Sequence, residues 1–405
     1  YPLMIPVLSS KELLNIAEEF GSPLYIYNAD RISYQFQKLK NAFKDIDSNI
    51  FYACKSLTNI QVLKYMRSLG SSIDCSSINE VKLAMHAGFT ASEILYTSNG
   101  INFSEIVEAK ELGVHINIDS ISNLEKFGQK YGHSYPVGIR IRPNILAGGN
   151  LKISTGHDKS KFGIPIENVT EILNCIENNN LHVNALHIHT GSEIGDAAVF
   201  LEGIKVLFTL LPQFNEVTII DLGGGFKIAY KPNDTETNVE DLAGTIKNAF
   251  DKYEQETGRH FKIWLEPGKF LVSAAGYFVC KVNVLKPTAN TMFAGVDTGF
   301  NHFIRPMFYN AWHEIENITN PDGDLNNYSV VGNICETDTF AWDRPIALIK
   351  EGDFLAFHNA GAYGFEMSSN YNSRLKPAEI LVTGGRSHLV RRRETFDDLL
   401  RHQVV

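Results

Sequence analysis

Residues 49–59 read NIFYACKSLTN, and the way this stretch is parsed decides the rest. Ile50, Phe51, Tyr52 and Ala53 form an apolar run suited to a short buried strand. Lys55 stands where such a strand emerges, and Ser56, Thr58 and Asn59 suit the start of a helix. A lysine held at a strand end between hydrophobic walls is desolvated, which lowers its pKa from about 10.4 and makes it a usable nucleophile. The plainer alternative is a surface lysine whose stem lies along apolar neighbours.

The strand-to-helix pattern repeats outward from this point. Apolar segments fall at 50–53, 72–74, 94–97, 115–118, 137–141, 183–189, 217–221 and 262–265. Amphipathic stretches at 78–86, 103–111, 121–131, 166–178, 197–211 and 239–253 lie between them. Alternation of this kind predicts parallel strands with right-handed crossovers. Eight units fit a closed (β/α)8 barrel, and an open doubly wound sheet shares the pattern. Beyond about residue 270 the texture changes. GYFVCKVNVLK, TMFAGVDTG, YSVVGNIC, DFLAFHNAGAY and AEILVTGG are β-rich with little helical periodicity, which predicts a mostly antiparallel second domain. Near the N-terminus, SSKELLNIAEEF reads as a helix, and the β-like LYIYN at 24–28 is able to join either domain.

The bulk numbers are those of a globular protein: 405 residues, 44% hydrophobic and 20% charged. A net charge of −9 argues against nucleic acid as a partner. The run Arg391–Arg393 is followed by Glu394, Asp397 and Asp398, as in a solvated mixed-charge segment. No stretch approaches the roughly 18 apolar residues that cross a bilayer, so no membrane partner is expected. The five cysteines have no CxxC spacing, so neither a disulfide framework nor a zinc site is expected, and a reduced, cytoplasmic setting is.

In a closed barrel the chemistry gathers at the C-terminal strand ends. Lys55 follows the first strand, Asp74 ends the second, His189 the sixth, Gly223–Gly225 follow the seventh and Glu266 the eighth. HIHTGSE places His187 and His189 on one strand face, with His187 the better candidate for a satisfied core histidine. HxH also suits a metal, but no further ligand cluster accompanies it, and none is expected. The glycines of IIDLGGGF would let backbone N–H groups approach a phosphate, or would serve a tight strand exit. In the second domain, Cys335 beside Glu336 pairs a proton donor with a fixed charge, against the commoner fate of a buried, inert cysteine. Arg305 and Tyr309 would clamp a carboxylate or form a surface pair.

Taken together and in order, YACKS, TGHDKSKFGI (155–164), HIHTGS, DLGGGF, EPGK, RPMFY, CETD and GAYG resemble the fold-type III pyridoxal-phosphate decarboxylases, whose barrel is alanine racemase-like. The resemblance spans about residues 24–383. It implies a barrel over 28–271 that binds pyridoxal 5'-phosphate, and a β-domain assembled from 1–27 and 272–405 that carries dimer and substrate contacts. It also implies residue roles. Lys55 would hold the cofactor covalently, and His189 would stack on its ring. Ser192, Gly223, Gly224, Gly225, Gly268 and Tyr363 would hold the phosphate, with Lys269 nearby. Glu266 would pair with the ring nitrogen, keeping the ring a strong electron sink. A racemase is expected to place an arginine there, so the glutamate favours decarboxylation. Cys335 would return a proton as general acid, and Cys335 and Glu336 would enter the site of the other subunit of a homodimer.

The far end of the substrate follows from charge. Glu336 suits an ammonium, while Arg305 and Lys269, with Tyr309, suit a carboxylate, and Tyr363 is a further expected substrate contact; a closed site that leaves either charge unpaired is penalised. The expected substrate therefore carries both signs, as meso-diaminopimelate does, and its decarboxylation to L-lysine is the final step of lysine biosynthesis. Arginine usually follows EPG in this family, and here Lys269 does, a point charge in place of a planar fork. CETDT likewise departs from the commoner CESGD. These departures keep carboxynorspermidine, ornithine and lysine as alternative small-molecule substrates. A catalytically dead regulatory partner would be expected to lack Lys55 or Cys335, and both are present.

Overall fold

The computed structural model describes residues 4–144 and 159–404. The TGHD of 155–158, part of the family-like stretch, lies outside the described residues. The chain divides into two compact units, one of residues 36–228 with 235–270, the other of residues 1–35, 229–234 and 271–405.

The first unit is a parallel barrel. Its strands are β1 (Ser48–Ala53), β2 (Ser72–Cys75), β3 (Ile94–Thr97), β4 (His115–Ile118), β5 (Val137–Arg142), β6 (Val183–His187), β7 (Ile219–Asp221) and β8 (Lys262–Leu265). Neighbours pair in the order β4-β3-β2-β1-β8-β7-β6-β5. The pairs Asn117↔Gly138 and Ile118↔Ile139 join β4 to β5 and close the ring, which excludes the open sheet. β6 ends at His187, two residues short of the expected end at His189. Beyond Ile188 the chain turns against the glycines that follow β7.

Helix starts are set by short polar side chains. Asn59 accepts from Gln61 N–H, Ser77 from Glu80, Asn102 from Ser104, Ser120 from Asn123, Asp196 from Ala198 and Asn238 from Asp241. Each satisfies a backbone donor that the first turn leaves free, at about 1 kcal/mol per cap. The strands are buried nearly throughout, β1 from Ile50 onward, as parallel strands covered by helices must be.

Polar side chains occupy part of the barrel interior. Asn117 on β4 donates through Nδ2 to Thr97 Oγ1 on β3 at 3.1 Å and to Asp221 Oδ2 on β7 at 3.4 Å. Because β7 lies three strands round from β4, the second bond spans the interior. Gly138 on β5 makes room for it, since a Cβ there would stand 2.0 Å from Asn117 Oδ1.

The second unit is built on a mostly antiparallel nine-stranded sheet. LYIYN (Leu24–Asn28) lies within it, antiparallel to Gly276–Pro287 and parallel to Ala378–Thr383. Leu24, Ile26, Val279, Ala356 and Ile380 pack together in its core with Leu13 and Ile16 of the helix Ser10–Phe20. An N-terminal strand thus completes a sheet whose other members come from the last third of the chain.

Candidate active site

Lys55 leaves β1 in a short 3₁₀ turn, Cys54–Ser56, and Asn59 caps the following helix. The strand, exit and helix start expected of NIFYACKSLTN are therefore present. The desolvation is not: Lys55 is exposed. Its chain neighbours Ala53, Cys54, Ser56 and Leu57 are all buried, while Lys55 itself reaches solvent. Its charge is felt by Asp74, Glu80, His187 and His189.

Beneath it lies a buried cluster of Asp74 on β2, Arg140 on β5, His187 on β6, Asp221 on β7 and Glu266 just past β8. His187 Nε2 lies 3.3 Å from Glu266 Oε1 and 4.0 Å from Asp221 Oδ1. Burial raises the Glu266 carboxyl, but His187, then Asp221 and His189, outweigh it and hold it well below the usual carboxylate range. Burial, reinforced by Glu266, pushes Asp74 and Asp221 well above that range. Burial also lowers His187, with Glu266 pulling the other way. Of three close carboxyls, then, Glu266 carries the charge, as expected where like charges share a low-dielectric site.

His187 is not the satisfied core histidine expected of it. Both its ring nitrogens lack a hydrogen-bond partner among the described residues, as do Glu266 Oε1 and Asp74 Oδ1. The 3.3 Å approach to Glu266 is close, but not aligned as a hydrogen bond. Native interiors rarely leave so many polar atoms open in one place, and such groups call for an explanation. His187, Asp221 and Glu266 offer ligand atoms within 4.8 Å of one another, the make-up of a metal site. Arg140 and Lys55 already act on the same groups, and their positive charge opposes a cation there.

The glycines after β7 each have a packing reason. A Cβ at Gly223 would meet His189 Nδ1 at 2.6 Å, at Gly224 the Glu266 carbonyl oxygen at 2.2 Å, and at Gly225 the Gly191 carbonyl oxygen at 2.0 Å. Gly223 and Gly225 also have φ of +68° and +88°, which favours glycine. All three are thus explained by the approach of three chain segments, where one glycine was expected for a plain strand exit. Gly224 N–H donates to His189 Nδ1 at 3.2 Å, so the half-buried His189 carries any ring proton on Nε2. Burial, with Arg140 and Lys55, holds this ring well below its ordinary pKa and neutral. Gly268 sits against β1, where a Cβ would lie 3.2 Å from that of Ala53. Lys269 is buried, donates to Ser192 Oγ at 3.1 Å and is ion-paired with Glu193. Its charge is thus already balanced by an acid that the sequence reading passed over.

In the second unit, Arg305 opens the short helix Arg305–Phe308 and is 5% exposed, so it is not the surface pair that was the alternative. Its Nη2 donates to Tyr230 Oη at 3.1 Å, and its guanidinium lies 5.5 Å from the rings of Tyr230 and Tyr309. No carboxylate pairs with it among the described residues. Tyr363 has a left-handed φ of +55°, a strained conformation for a bulky side chain. Cys335 is the exposed one of five free cysteines; the other four are buried. Asn372 holds it at two points, Oδ1 accepting from Cys335 N–H at 2.8 Å and Nδ2 donating to Sγ at 3.1 Å. Tyr371 Oη stands 3.8 Å from Sγ and donates to Glu336 Oε1 at 2.9 Å.

The barrel unit thus brings together Lys55, His189, Ser192, Gly223–Gly225, Glu266, Gly268 and Lys269. The β unit carries Arg305, Tyr309, Cys335, Glu336 and Tyr363. Sequence reasoning passed over Arg140, Asp221, Glu193, Tyr371 and Asn372. The charges within otherwise apolar strands, VGIRIR and TIID, were the available signal for the first two.

This donor set fits pyridoxal phosphate. Glu266 presents a buried, ionised oxygen that has no hydrogen-bond partner among the described residues, suited to a ring N–H. His189 offers a neutral imidazole fixed by backbone. Lys55 offers an exposed amine whose charge reaches His189.

Comparison with known proteins points the same way. Residues 29–273 match the pyridoxal-binding domain of the pyridoxal-dependent decarboxylases. A diaminopimelate decarboxylase of Methanothermobacter thermautotrophicus is 37% identical over 98% of this chain and 95% of its own. One of Campylobacter jejuni is 36% identical over 95% and 96%. The crystal structure of the M. jannaschii diaminopimelate decarboxylase in complex with L-lysine superposes with a TM-score of 0.89, at 31% identity over 97% of this chain and 94% of that one.

Proposed function

The chain belongs to the pyridoxal-dependent decarboxylase family, and we propose that it removes CO2 from meso-2,6-diaminopimelate to leave L-lysine. It is a pyridoxal 5'-phosphate enzyme acting on an amino acid. When bound, the cofactor supplies a protonated pyridine ring that draws in the electron pair left by the departing CO2.

The protein's own part is to hold and tune that ring. Lys55 is the covalent attachment point. Glu266, the one ionised carboxyl of its cluster, keeps a proton on the ring nitrogen. His189, neutral and held by Gly224 N–H, packs on the ring face. Ser192 and the backbone at Gly223–Gly225 and Gly268 would hold the phosphate, a role the family resemblance also gives Tyr363. Cys335 donates the proton that replaces CO2, and Glu336 receives the substrate's far ammonium.

The choice of substrate rests on Arg305. A buried guanidinium without a carboxylate partner is costly, and a ligand carboxylate relieves the cost. Lys269 is balanced by Glu193, so the distal carboxylate falls to Arg305, assisted by Tyr309. Ornithine and lysine have no carboxylate at that end and would leave Arg305 unpaired. The active assembly in this reading is a homodimer in which Cys335 and Glu336 serve the other subunit, which the exposure of both supports. Five free thiols suit a reducing cytoplasm, and no helix among the described residues is long and apolar enough to cross a membrane.

The test is CO2 release from meso-diaminopimelate, ornithine, lysine and carboxynorspermidine in parallel, with cofactor added. Release from diaminopimelate alone, with lysine formed, is expected. Preferential turnover of another substrate would overturn the assignment.

A further inference from the structure

Asp221 has no role in the account above, yet it is the most enclosed acid of the cluster, with 0% exposure at the end of β7. Its Oδ1 accepts from Gly223 N–H at 2.9 Å, and its Oδ2 from Asn117 Nδ2 at 3.4 Å. Gly223 in turn accepts from Glu266 N–H at 2.8 Å through its carbonyl. Within 4.8 Å of its carboxyl lie ligand atoms of both His187 and Glu266. One side chain is therefore tied to the glycine turn, to the interior amide and to the neighbourhood of the carboxylate assigned to the ring nitrogen.

We infer that Asp221 is a positioning residue: its carboxyl joins Glu266 to the Gly223 turn and leaves Glu266 the charged member of the pair. The inference rests on the cofactor reading of this site. Two carboxylates this close, both buried, cannot both be ionised at acceptable cost. Asp221 accepts from Gly223 N–H and Asn117 Nδ2 and lies within 4.8 Å of the Glu266 carboxyl, which is the acceptor within reach of a proton carried by Asp221. Asp74, Arg140, His187 and Lys55 face the same cluster. Burial and Glu266 raise Asp221, while His187 and Asp221 lower Glu266, and both shifts favour that distribution. The same carboxyl fixes where the glycine turn stands relative to Glu266, so the phosphate end and the ring-nitrogen end of one cofactor are set by a shared group.

The experiment uses the full-length protein with Asp221→Asn, Asp221→Ala and, as a milder change, Asn117→Ala. Apoprotein is titrated with pyridoxal phosphate and followed by fluorescence, and the absorbance of the loaded protein is recorded across neutral pH. An asparagine can donate to Glu266 and accept from Gly223, so Asp221→Asn should keep the dissociation constant within about threefold and retain the absorbance profile. Asp221→Ala should weaken cofactor binding about 10-fold and shift that profile. Asn117→Ala should shift it in the same direction by less. Equal damage from Asn and Ala would overturn the inference, as would an unshifted profile in either alanine variant. Should Asp221→Ala fail to fold, an unshifted profile in Asn117→Ala, or cofactor binding weakened about 10-fold in Asp221→Asn, would overturn the inference. These readouts concern cofactor binding. A wild-type protein that binds the cofactor but is silent toward diaminopimelate would end the substrate assignment and leave this inference standing.

Discussion

Glu266 and Glu336 are both carboxylates beside a proton-carrying neighbour, and the fold treats them in opposite ways. Glu266 is 7% exposed and belongs to a cluster whose protonation is already set by burial and by its neighbours. Glu336 is open to water, as are Cys335 and Tyr371, and hydrogen bonds are what order them. Contact with Cys335 and Glu336 pushes the Tyr371 hydroxyl up to about 12, which leaves it protonated at neutral pH. The barrel end is thus tuned by its own fold. The Cys335 loop is arranged in space but not desolvated.

The largest expected effect tests whether the barrel end works as a unit. Lys55→Ala should remove the absorbance of covalently held cofactor and lower turnover by at least about 10⁴-fold. Turnover near that of wild type, with the absorbance lost, would break the comparison at its first member. Next, Glu266→Gln should lower kcat on the order of 10²–10³-fold with cofactor retained, whereas Glu336→Gln should act mainly on KM. Steady-state kinetics of the pair decides whether buried and exposed carboxylates divide in this way. Cys335→Ala should reduce kcat about 10²-fold while leaving the absorbance of bound cofactor unchanged. An altered absorbance would mean that this loop bears on the cofactor itself.

The smallest effect concerns a carboxyl of the β unit that does resemble the barrel cluster. Asp338 is 3% exposed, its Oδ2 has no partner among the described residues, and burial raises it to about 6. A folded-state pKa above the unfolded value of about 3.9 means that its contribution is fully present below pH 4 and lost as pH rises through 6, by at most about 3 kcal/mol. Asp338→Asn should therefore raise the unfolding temperature by a few degrees at pH 8 and by little at pH 4. An equal change at both would show that the carboxyl is not protonated in the fold.

The strand-and-helix alternation was legible because the parallel strands are mostly apolar and most of the barrel helices start at a short polar cap; the segment 103–111 needed no tertiary information. The end of β6 was not, because HIHTGSE stays β-like in composition past His187, and only the glycines of the next segment turn it away. Lys55 was found by its place at a strand end, yet its solvent exposure was misjudged, since the direction of the turn Cys54–Ser56 is not written in residue type. Asp221 was passed over because one acid at the end of TIID looks like a cap until Asn117 and Glu266 are brought beside it.

The sequence by itself determined eight alternating strand–helix units, the order of the chemical groups and the β-rich character of the last third, because period, caps and turn residues act over a few positions. Only the tertiary structure decided that the ring closes at Asn117↔Gly138, that LYIYN completes a sheet made mostly from residues beyond 270, and that Glu266 rather than Asp74 or Asp221 carries the charge. Those outcomes depend on distances between residues far apart in the chain, and charge in a buried cluster is a property of the group rather than of any member.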